Sequence, residues 1–247
     1  MRQAGPNSFV IDCFPEAVAR HRDDHRVVVV DVIRATTLAI TAVAQGRRCF
    51  IASTAEQARD LKARIGPAVL AGEIAGDKPD GFEMNNSPAE LDRRTDVERP
   101  IIMVSSSGAP LMLQAGLIPG GAEVACLRNA RASARHLIGR HRRVALIGAG
   151  SRGEFREEDQ MCCARIGDWL LEAGYSPESE ETQRIVDHWR GVPVDALSAG
   201  ASVTYLRRTG QEDDFEYISR RIDDLDLVAS IRGQEVTVDP ARVGHEP

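Results

Sequence analysis

The chain has 247 residues, and 43% of them are hydrophobic, which is enough for one large domain or two small ones. Its formal net charge is −6 and its isoelectric point is about 5.6, which argues against a nucleic-acid partner, because such proteins carry a basic surface. No apolar stretch is long enough to span a bilayer, and the five cysteines include no CxxC pair, so we expect a cytoplasmic protein without a membrane partner.

The first strongly predicted element is a strand that contains the valine run 27–30. Its lack of polar alternation predicts burial on both faces. The run breaks at Asp31, and Arg34, Thr36 and Thr37 follow before a predicted helix. Polar side chains therefore crowd the carboxyl end of a core strand, where open α/β sheets bind ligands. Asp31 suits a hard metal ion, Arg34 suits an oxyanion, and the helix start attracts anions.

The chain then repeats one order of elements. The first run has predicted strands at 26–32, 48–51 and 68–71, with helices at 36–45 and 54–64. The second run has predicted strands at 100–104, 123–127 and 143–147, with helices at 110–115 and 130–140. A further helix is predicted over 159–173. Matching positions keep a nearly constant spacing, since Gly148 follows Gly72 by 76 residues and Phe155 follows Phe82 by 73.

This repeat predicts an internal duplication of residues 26–91 and 100–173, followed by a C-terminal α/β extension over 176–240, all within one domain spanning 1–247. The expected fold is a three-layer α/β/α structure built from two similar βαβαβ halves. The halves would be related by a pseudo-twofold axis, with two half-sheets facing each other. The loops at equivalent strand ends would then converge on an active site between the halves.

The segment Gly148-Ala-Gly150-Ser-Arg-Gly153 follows a predicted strand and matches the dinucleotide-binding pattern GxGxxG. Residues 154–158 delay the helix that this motif requires, and residues 175–181 do not read as the second strand. A nucleotide-binding oxidoreductase therefore stays a minor alternative. Glycines in this turn would still let backbone amides approach a phosphate.

Four segments of the chain resemble the 2-phosphosulfolactate phosphatase family of coenzyme M biosynthesis. They are Asp31-Val-Ile-Arg-Ala-Thr-Thr37, Gly72-Glu73 with Lys78 and Gly81-Phe-Glu-Met-Asn-Asn-Ser-Pro88, Ser105-Ser-Ser-Gly-Ala109, and Phe155-Arg-Glu-Glu-Asp-Gln-Met-Cys162. The likeness covers roughly residues 26–173 and is weak from residue 176 onward. It implies an α/β fold, dependence on Mg²⁺, and hydrolysis of 2-phospho-3-sulfolactate to 3-sulfolactate and phosphate.

The third segment departs from the family pattern TTNGT, because Ser107 removes an amide and Ala109 removes a hydroxyl. This departure leaves the substrate open. One alternative is a phosphatase for another phosphorylated hydroxy acid, and a second is a non-catalytic anion-binding homologue.

The resemblance and the strand-end positions together suggest a role for each polar residue. Asp31, Glu73 and Asp159 are expected to hold Mg²⁺, since hard oxygen ligands suit this ion. The catalytic set is Asp31, Arg34, Glu158 and Asp159, with a carboxylate of Glu158 or Asp159 orienting the attacking water. The expected substrate-binding residues are Thr36, Thr37, Lys78, Asn86, Ser87, Ser106 and Ser107.

Each role has a structural alternative. The hydroxyl groups could cap helices, Arg34 could form a salt bridge, and Lys78 could be a solvated loop residue. A phosphoenzyme route with Asp31 as nucleophile also stays open. The expected partner is a small phosphorylated acid, and a homodimer is kept open because residues 176–238 must pack on something.

Overall fold

The structure is a computed structural model that describes residues 7–238. The two ends of the predicted domain, and the last two positions of the predicted extension, lie outside the described residues. The strands of the described part are Ser8–Cys13 (β1), Arg26–Val30 (β2), Cys49–Ile51 (β3), Val69–Gly72 (β4), Ile101–Val104 (β5), Ala122–Ala125 (β6), Arg143–Gly148 (β7), Ser176–Pro177 (β8), Ala229–Arg232 (β9) and Glu235–Val238 (β10).

The α-helices of the described part are Glu16–His21 (α1), Ala35–Ala44 (α2), Ala55–Ile65 (α3), Pro88–Asp92 (α4), Gly108–Gly116 (α5), Ala130–Leu137 (α6), Glu157–Glu172 (α7), Glu180–Trp189 (α8), Ala201–Arg208 (α9) and Glu212–Ser219 (α10). A 3₁₀ helix, Val194–Ala199, precedes α9.

All of these strands join one mixed sheet in the order β4-β5-β3-β10-β9-β6-β2-β7-β1-β8. The strands within β4-β5-β3 are parallel, and so are those within β6-β2-β7-β1-β8. The hairpin β9–β10 joins the two parts through antiparallel ladders on both sides. The strands of both predicted halves therefore belong to one continuous sheet.

In both parallel parts, a strand of one predicted half lies between two strands of the other half. Strand β5 lies between β4 and β3, while β2 lies between β6 and β7. Exchanging β2 with β5, β3 with β6 and β4 with β7 gives the same order of these six strands read from the opposite edge of the sheet. The duplication and its twofold axis stay a prediction.

Helices cover both faces of the sheet, which confirms the predicted three-layer architecture. Alternate side chains of a strand point to opposite faces. Val27 and Val29 accordingly pack in the core that includes residues of α1, α2 and α5, whereas Val28 and Val30 pack in the core that includes residues of α6, α7 and α8. The valine run is thus fully buried, as its sequence predicts.

The central strands and helices begin within a few residues of their predicted positions, but four strands were missed. Strand β1 and the hairpin β9–β10 were not predicted, and residues 176–177, interpreted as part of a non-strand segment, form the short edge strand β8 beside β1. All of these strands pair with partners far away in the chain, so local patterns indicate them weakly.

The five cysteines are buried and free. Within residues 7–238, no helix has the length and apolar character needed to cross a bilayer.

Candidate functional site

Loops that follow β2, β4, β5 and β7 line one cavity of about 680 Å³. These loops come from both predicted halves, so the cavity lies where the duplication placed the site. Of the predicted site residues, Asp31, Arg34, Glu73, Asn86, Ser106, Ser107, Glu158 and Asp159 line it.

Helices α2 and α5 begin side by side at this cavity. A side chain at Gly108, the first residue of α5, would place its Cβ 2.3 Å from Oδ2 of Asp31 and 2.4 Å from Cβ of Ala35. Only glycine fits at this position, because real Cβ atoms essentially never approach so closely. The close approach brings the Asp31 carboxylate against the loop of serines that follows β5.

Hydrogen bonds within the β2–α2 loop orient Asp31. The Thr36 hydroxyl accepts a bond from the Asp31 amide (2.9 Å) and donates to the Asp31 carbonyl (2.8 Å). The Thr37 hydroxyl donates to the Val32 carbonyl at 2.7 Å. Both threonines are buried and neither lines the cavity, and their hydroxyls bond to the backbone of the loop; their predicted contact with substrate stays a prediction.

Asp31 is buried, and one of its oxygens, Oδ1, accepts a bond from the Ala35 amide at 3.1 Å. Burial, together with the negative charges of Glu158 and Glu73, raises the pKa of Asp31 to about 7. A carboxylate with this pKa is poised to gain a cation, because a nearby positive charge favours its ionised form.

Asp159 lies at the start of α7 and connects the β2 and β7 loops. Its Oδ1 accepts a bond from the Val32 amide (2.8 Å), and its Oδ2 accepts one from the Gly150 amide (3.3 Å). Burial and the charges of Asp31 and Glu158 raise the pKa of Asp159 well above its usual value. Burial also raises the pKa of Glu158, although its hydrogen bond with Ser202 acts in the opposite direction.

Glu73 anchors the loop after β4 to the loop after β5. Its Oε1 accepts a bond from the Ser106 amide (2.7 Å), while its Oε2 accepts bonds from the Ser106 hydroxyl (2.9 Å) and the Gly76 amide (2.7 Å). The Ser106 hydroxyl in turn accepts a bond from the Ala75 amide at 2.7 Å. These contacts fix the Glu73 carboxylate at the wall of the cavity.

Asn86 presents an unsatisfied acceptor at the cavity. The residue is only 3% exposed, and its Oδ1 atom receives no hydrogen bond from any residue in the described part of the chain. A buried acceptor without a donor is costly in free energy. A metal ion or a ligand hydroxyl would satisfy it.

Arg34 lines the cavity and also forms a buried salt bridge, which was its structural alternative. Its Nη1 donates to Asp214 (2.5 Å) and to Gln211 (2.7 Å), and its Nη2 donates to Asn85 (3.0 Å). Among the described residues, these three partners take three of the five guanidinium N–H donors. The Nε–H and one Nη2–H are left for an anion.

Besides Thr36 and Thr37, two further predicted ligand-binding side chains do not line the cavity. Lys78 is exposed, which matches its interpretation as a solvated loop lysine. Ser87 caps α4 by accepting a bond from the Glu90 amide (3.0 Å), and its hydroxyl donates to Asp214. The predicted contact of these two side chains with substrate stays a prediction.

Several cavity residues were missed by the sequence analysis. Ser202 and Tyr205 of α9 form one wall, although the extension had no predicted function. Arg152 and Arg156 line the cavity from the loop after β7. The GxGxxG pattern could have pointed to this loop, but Gly150 donates to Asp159, and Ser151 and Glu154 close a turn before α7 begins. The motif therefore lacks the direct strand-to-helix turn of a dinucleotide site.

Two other regions fit a catalytic site less well. A concave surface of about 710 Å³ runs along α3, where its lining residues are mostly exposed. Glu123, His136 and His141 place potential metal-ligand atoms within 4.8 Å of one another. Arg26 donates to Glu123 at 3.2 Å and Arg140 contacts His136 at 2.6 Å, so guanidinium groups already accompany this cluster.

Known proteins match the chain over most of its length. The model of the 2-phosphosulpholactate phosphatase family matches residues 13–234. The chain belongs to this family. Membership confirms the resemblance and the predicted enzyme class, a phosphatase that hydrolyses a phosphate monoester. It also extends the likeness beyond residue 173, so the C-terminal part that lines the cavity belongs to the family fold.

Individual relatives of this family agree. A probable 2-phosphosulfolactate phosphatase of Carboxydothermus hydrogenoformans is 33% identical over 228 residues, covering 90% of this chain and 92% of the relative. A protein with the same description in Deinococcus radiodurans is 29% identical over 198 residues, 78% of this chain and 82% of its own length. Another in Clostridium perfringens is 26% identical over 217 residues, 85% and 87% of the two chains.

Proposed function

We propose that the chain is an Mg²⁺-dependent 2-phosphosulfolactate phosphatase, which hydrolyses 2-phospho-3-sulfolactate to 3-sulfolactate and phosphate. The observation that carries this proposal is the convergence of four carboxylates on one cavity of a family member, Asp31, Glu73, Glu158 and Asp159. The relatives' descriptions supply the substrate.

The cavity residues fit a hard divalent cation. Carboxylate and amide oxygens are the ligands that Mg²⁺ prefers. Asp31 and Asp159 have raised pKa values because they are buried near other acids, and Asn86 Oδ1 is a buried acceptor that lacks a donor among the described residues. Asp31, Asp159 and Asn86 would therefore hold the ion, with Glu73 at the neighbouring wall.

When bound, Mg²⁺ neutralises charge on the transferring phosphoryl group. The chain's own residues do the rest of the alignment. The free Nε–H edge of Arg34 binds a phosphoryl oxygen, since Asp214 and Gln211 hold the guanidinium in place. The Ser107 hydroxyl at the start of α5 donates to the substrate, since the Ser106 hydroxyl already donates to Glu73.

Glu158 is the better candidate for orienting the attacking water. Each oxygen of Asp159 already accepts a backbone amide, whereas Glu158 reaches the cavity beside Ser202. Burial raises the pKa of Glu158, which brings this carboxyl closer to the range useful for general base catalysis. Cys162 is not suited as a nucleophile, because burial raises the pKa of its thiol well above the usual value.

The test is release of inorganic phosphate from 2-phospho-3-sulfolactate by the purified chain, with Mg²⁺ or with excess EDTA. We expect release with Mg²⁺ and none with EDTA. Release from 2-phospholactate alone would assign the chain to another phosphorylated hydroxy acid. Absence of release from every ester would identify a non-catalytic anion-binding homologue, and release that EDTA does not affect would exclude the metal role.

A further inference from the structure

Two tight turns face the cavity with the same backbone arrangement. In one, the amides of Ile74 and Asp77 bond each other's carbonyls at 2.9 and 3.1 Å. In the other, Ser151 and Glu154 do the same at 2.9 and 3.0 Å. We define these as the β4 turn (74–77) and the β7 turn (151–154). Both have two central residues with positive φ, as in a type I′ turn.

The tips of the two turns differ in chemistry. The β4 turn has Ala75 and Gly76 at its tip, with φ of 55° and 96°. The β7 turn has Arg152 and Gly153 there, with φ of 52° and 76°. Arginine seldom adopts a positive φ, whereas glycine does so readily. The conformation of the β7 turn therefore determines where the Arg152 side chain lies, at the border of the cavity.

The surroundings of the tips differ as well. Tyr205 covers the β4 turn, since its hydroxyl donates to the Gly76 carbonyl at 2.8 Å. At the β7 turn, a Cβ added to Gly153 would meet no atom within 4 Å. Among residues 7–238, no carboxylate lies within ion-pair distance of Arg152, which is exposed. Its guanidinium is therefore available to a ligand.

A second guanidinium lines the cavity from the same loop. Arg156 precedes α7, and its side chain is 15% exposed. Its ion-pair partner is Glu154 at 2.8 Å, a side chain that is 70% exposed, so solvent weakens the pairing. Arg34, in contrast, is neutralised by the buried Asp214.

We infer that Arg152 and Arg156 bind an acid group of the substrate other than its phosphate, and thereby select phosphate esters that carry a further carboxylate or sulfonate. This inference rests on the proposed function. It gives the second-cation role, which the sequence assigned to Lys78, to the loop after β7. It also gives the glycine-rich segment a use, because Gly150 and Gly153 shape the turn that presents Arg152.

The experiment compares kcat/KM for 2-phospho-3-sulfolactate with kcat/KM for p-nitrophenyl phosphate, which has no further acid group. The variants are Arg152→Gln, Arg156→Gln and Arg152→Lys, with Arg208→Gln as the matched control. Arg208 is an exposed arginine of α9 that does not line the cavity. Circular dichroism at the assay temperature checks that each variant is folded.

We expect Arg152→Gln and Arg156→Gln each to lower the ratio of the two kcat/KM values about ten- to a hundredfold, the usual effect of losing a charged hydrogen bond. The loss should appear mainly in KM, because the contact is the same in ground and transition states. Arg152→Lys should recover part of the ratio, and Arg208→Gln should keep the wild-type value.

Two outcomes would overturn this inference and leave the proposed function intact. One is an unchanged ratio in both glutamine variants, and the other is a wild-type enzyme that does not favour the sulfolactate ester. A wild-type chain that releases no phosphate from any ester would instead contradict the proposed function.

Discussion

The β4 turn and the β7 turn have matching backbones, but they meet the cavity differently. The β4 turn is held by three side chains, since Glu73, Ser106 and Tyr205 bond to its backbone. The β7 turn leaves its tip open and carries Arg152. The two turns therefore share a backbone conformation but differ in role: the β4 turn is fixed by side-chain hydrogen bonds, whereas the β7 turn is inferred to present Arg152 to an anion.

Both turns also bring a carboxylate against a loop from the other predicted half. Glu73 bonds the Ser106 amide of the β5–α5 loop, while Asp159 bonds the Val32 amide of the β2–α2 loop. Asp31 lies where these loops meet. Glu73 and Asp159 therefore make matching contacts on the two sides of the cavity, whereas Arg152 and Arg156 lie on the β7 side.

The largest effect should follow from removing the central carboxylate. Asp31→Asn should reduce kcat/KM for phosphate release about a thousandfold or more, because the variant removes the negative charge of a proposed Mg²⁺ ligand. Phosphate release measured over a range of Mg²⁺ concentrations tests this. Asp60→Asn, on the exposed face of α3, is the control that should keep wild-type activity. Full activity and Mg²⁺ dependence in Asp31→Asn would remove Asp31 from the metal site.

The next effect concerns the support of Arg34. Asp214 accepts bonds from Arg34, Ser87 and the Ala89 amide, and it is 1% exposed. Asp214→Ala should lower the free energy of unfolding by about 3–5 kcal/mol, because it leaves a buried guanidinium without its partner.

Urea denaturation measures the Asp214→Ala effect. The matched control is Asp213→Ala, whose ion pair with Arg93 is exposed, and this variant should change stability by at most about 1 kcal/mol. Equal losses of unfolding free energy in the two variants would show that the buried Arg34–Asp214 pair contributes no more to stability than the exposed pair.

A pH effect follows from the raised pKa of Asp31. The folded chain keeps a proton on Asp31 up to a pKa of about 7, whereas the unfolded chain loses it near the ordinary value of 3.8. The free energy of unfolding contributed by this group therefore falls as pH rises from about 4 to about 7. In EDTA, the melting temperature of Asp31→Asn minus that of wild type should increase across this window.

With Mg²⁺ at pH 8, the wild-type chain should have a higher melting temperature than Asp31→Asn, since binding of the ion stabilises the folded wild-type chain. A difference between the two melting temperatures that does not vary with pH would argue against the raised pKa of Asp31.

The smallest effect sharpens the contrast between the turns. Tyr205→Phe removes the bond to Gly76 and should lower the free energy of unfolding by about 0.5–1.5 kcal/mol. Arg152→Gln should leave the free energy of unfolding within about 0.5 kcal/mol of the wild-type value, because its side chain is exposed. Parallel urea curves test both. A larger loss in Arg152→Gln than in Tyr205→Phe would invert the proposed division of roles.

The sequence predicted the central elements well, because their burial patterns are local. The valine run of β2 and its break at Asp31 predicted both a core strand and a polar strand end. Glu73, Asn86 and Asp159, predicted from strand ends and family segments, also line the cavity. Their assigned roles stay predictions.

The remaining features depend on tertiary contacts that local patterns do not show. Thr36 and Thr37 could bind a ligand or shape a loop, and only the structure shows their hydroxyls bonded to backbone. Asp214 and Tyr205 lie more than 120 residues from the groups that they contact. Arg152 lies within the segment Gly148–Gly153, whose GxGxxG pattern directed attention to dinucleotide binding.

The most direct test of a metal site at the carboxylates with an acid-binding site at the β7 turn is a crystal structure of the chain with Mn²⁺, as a substitute for Mg²⁺, and 3-sulfolactate. We predict anomalous density for the metal between Asp31 and Asp159, with an acid group of sulfolactate beside Arg152. Metal bound instead at Glu123, His136 and His141, or acid groups that avoid the β7 turn, would contradict this account.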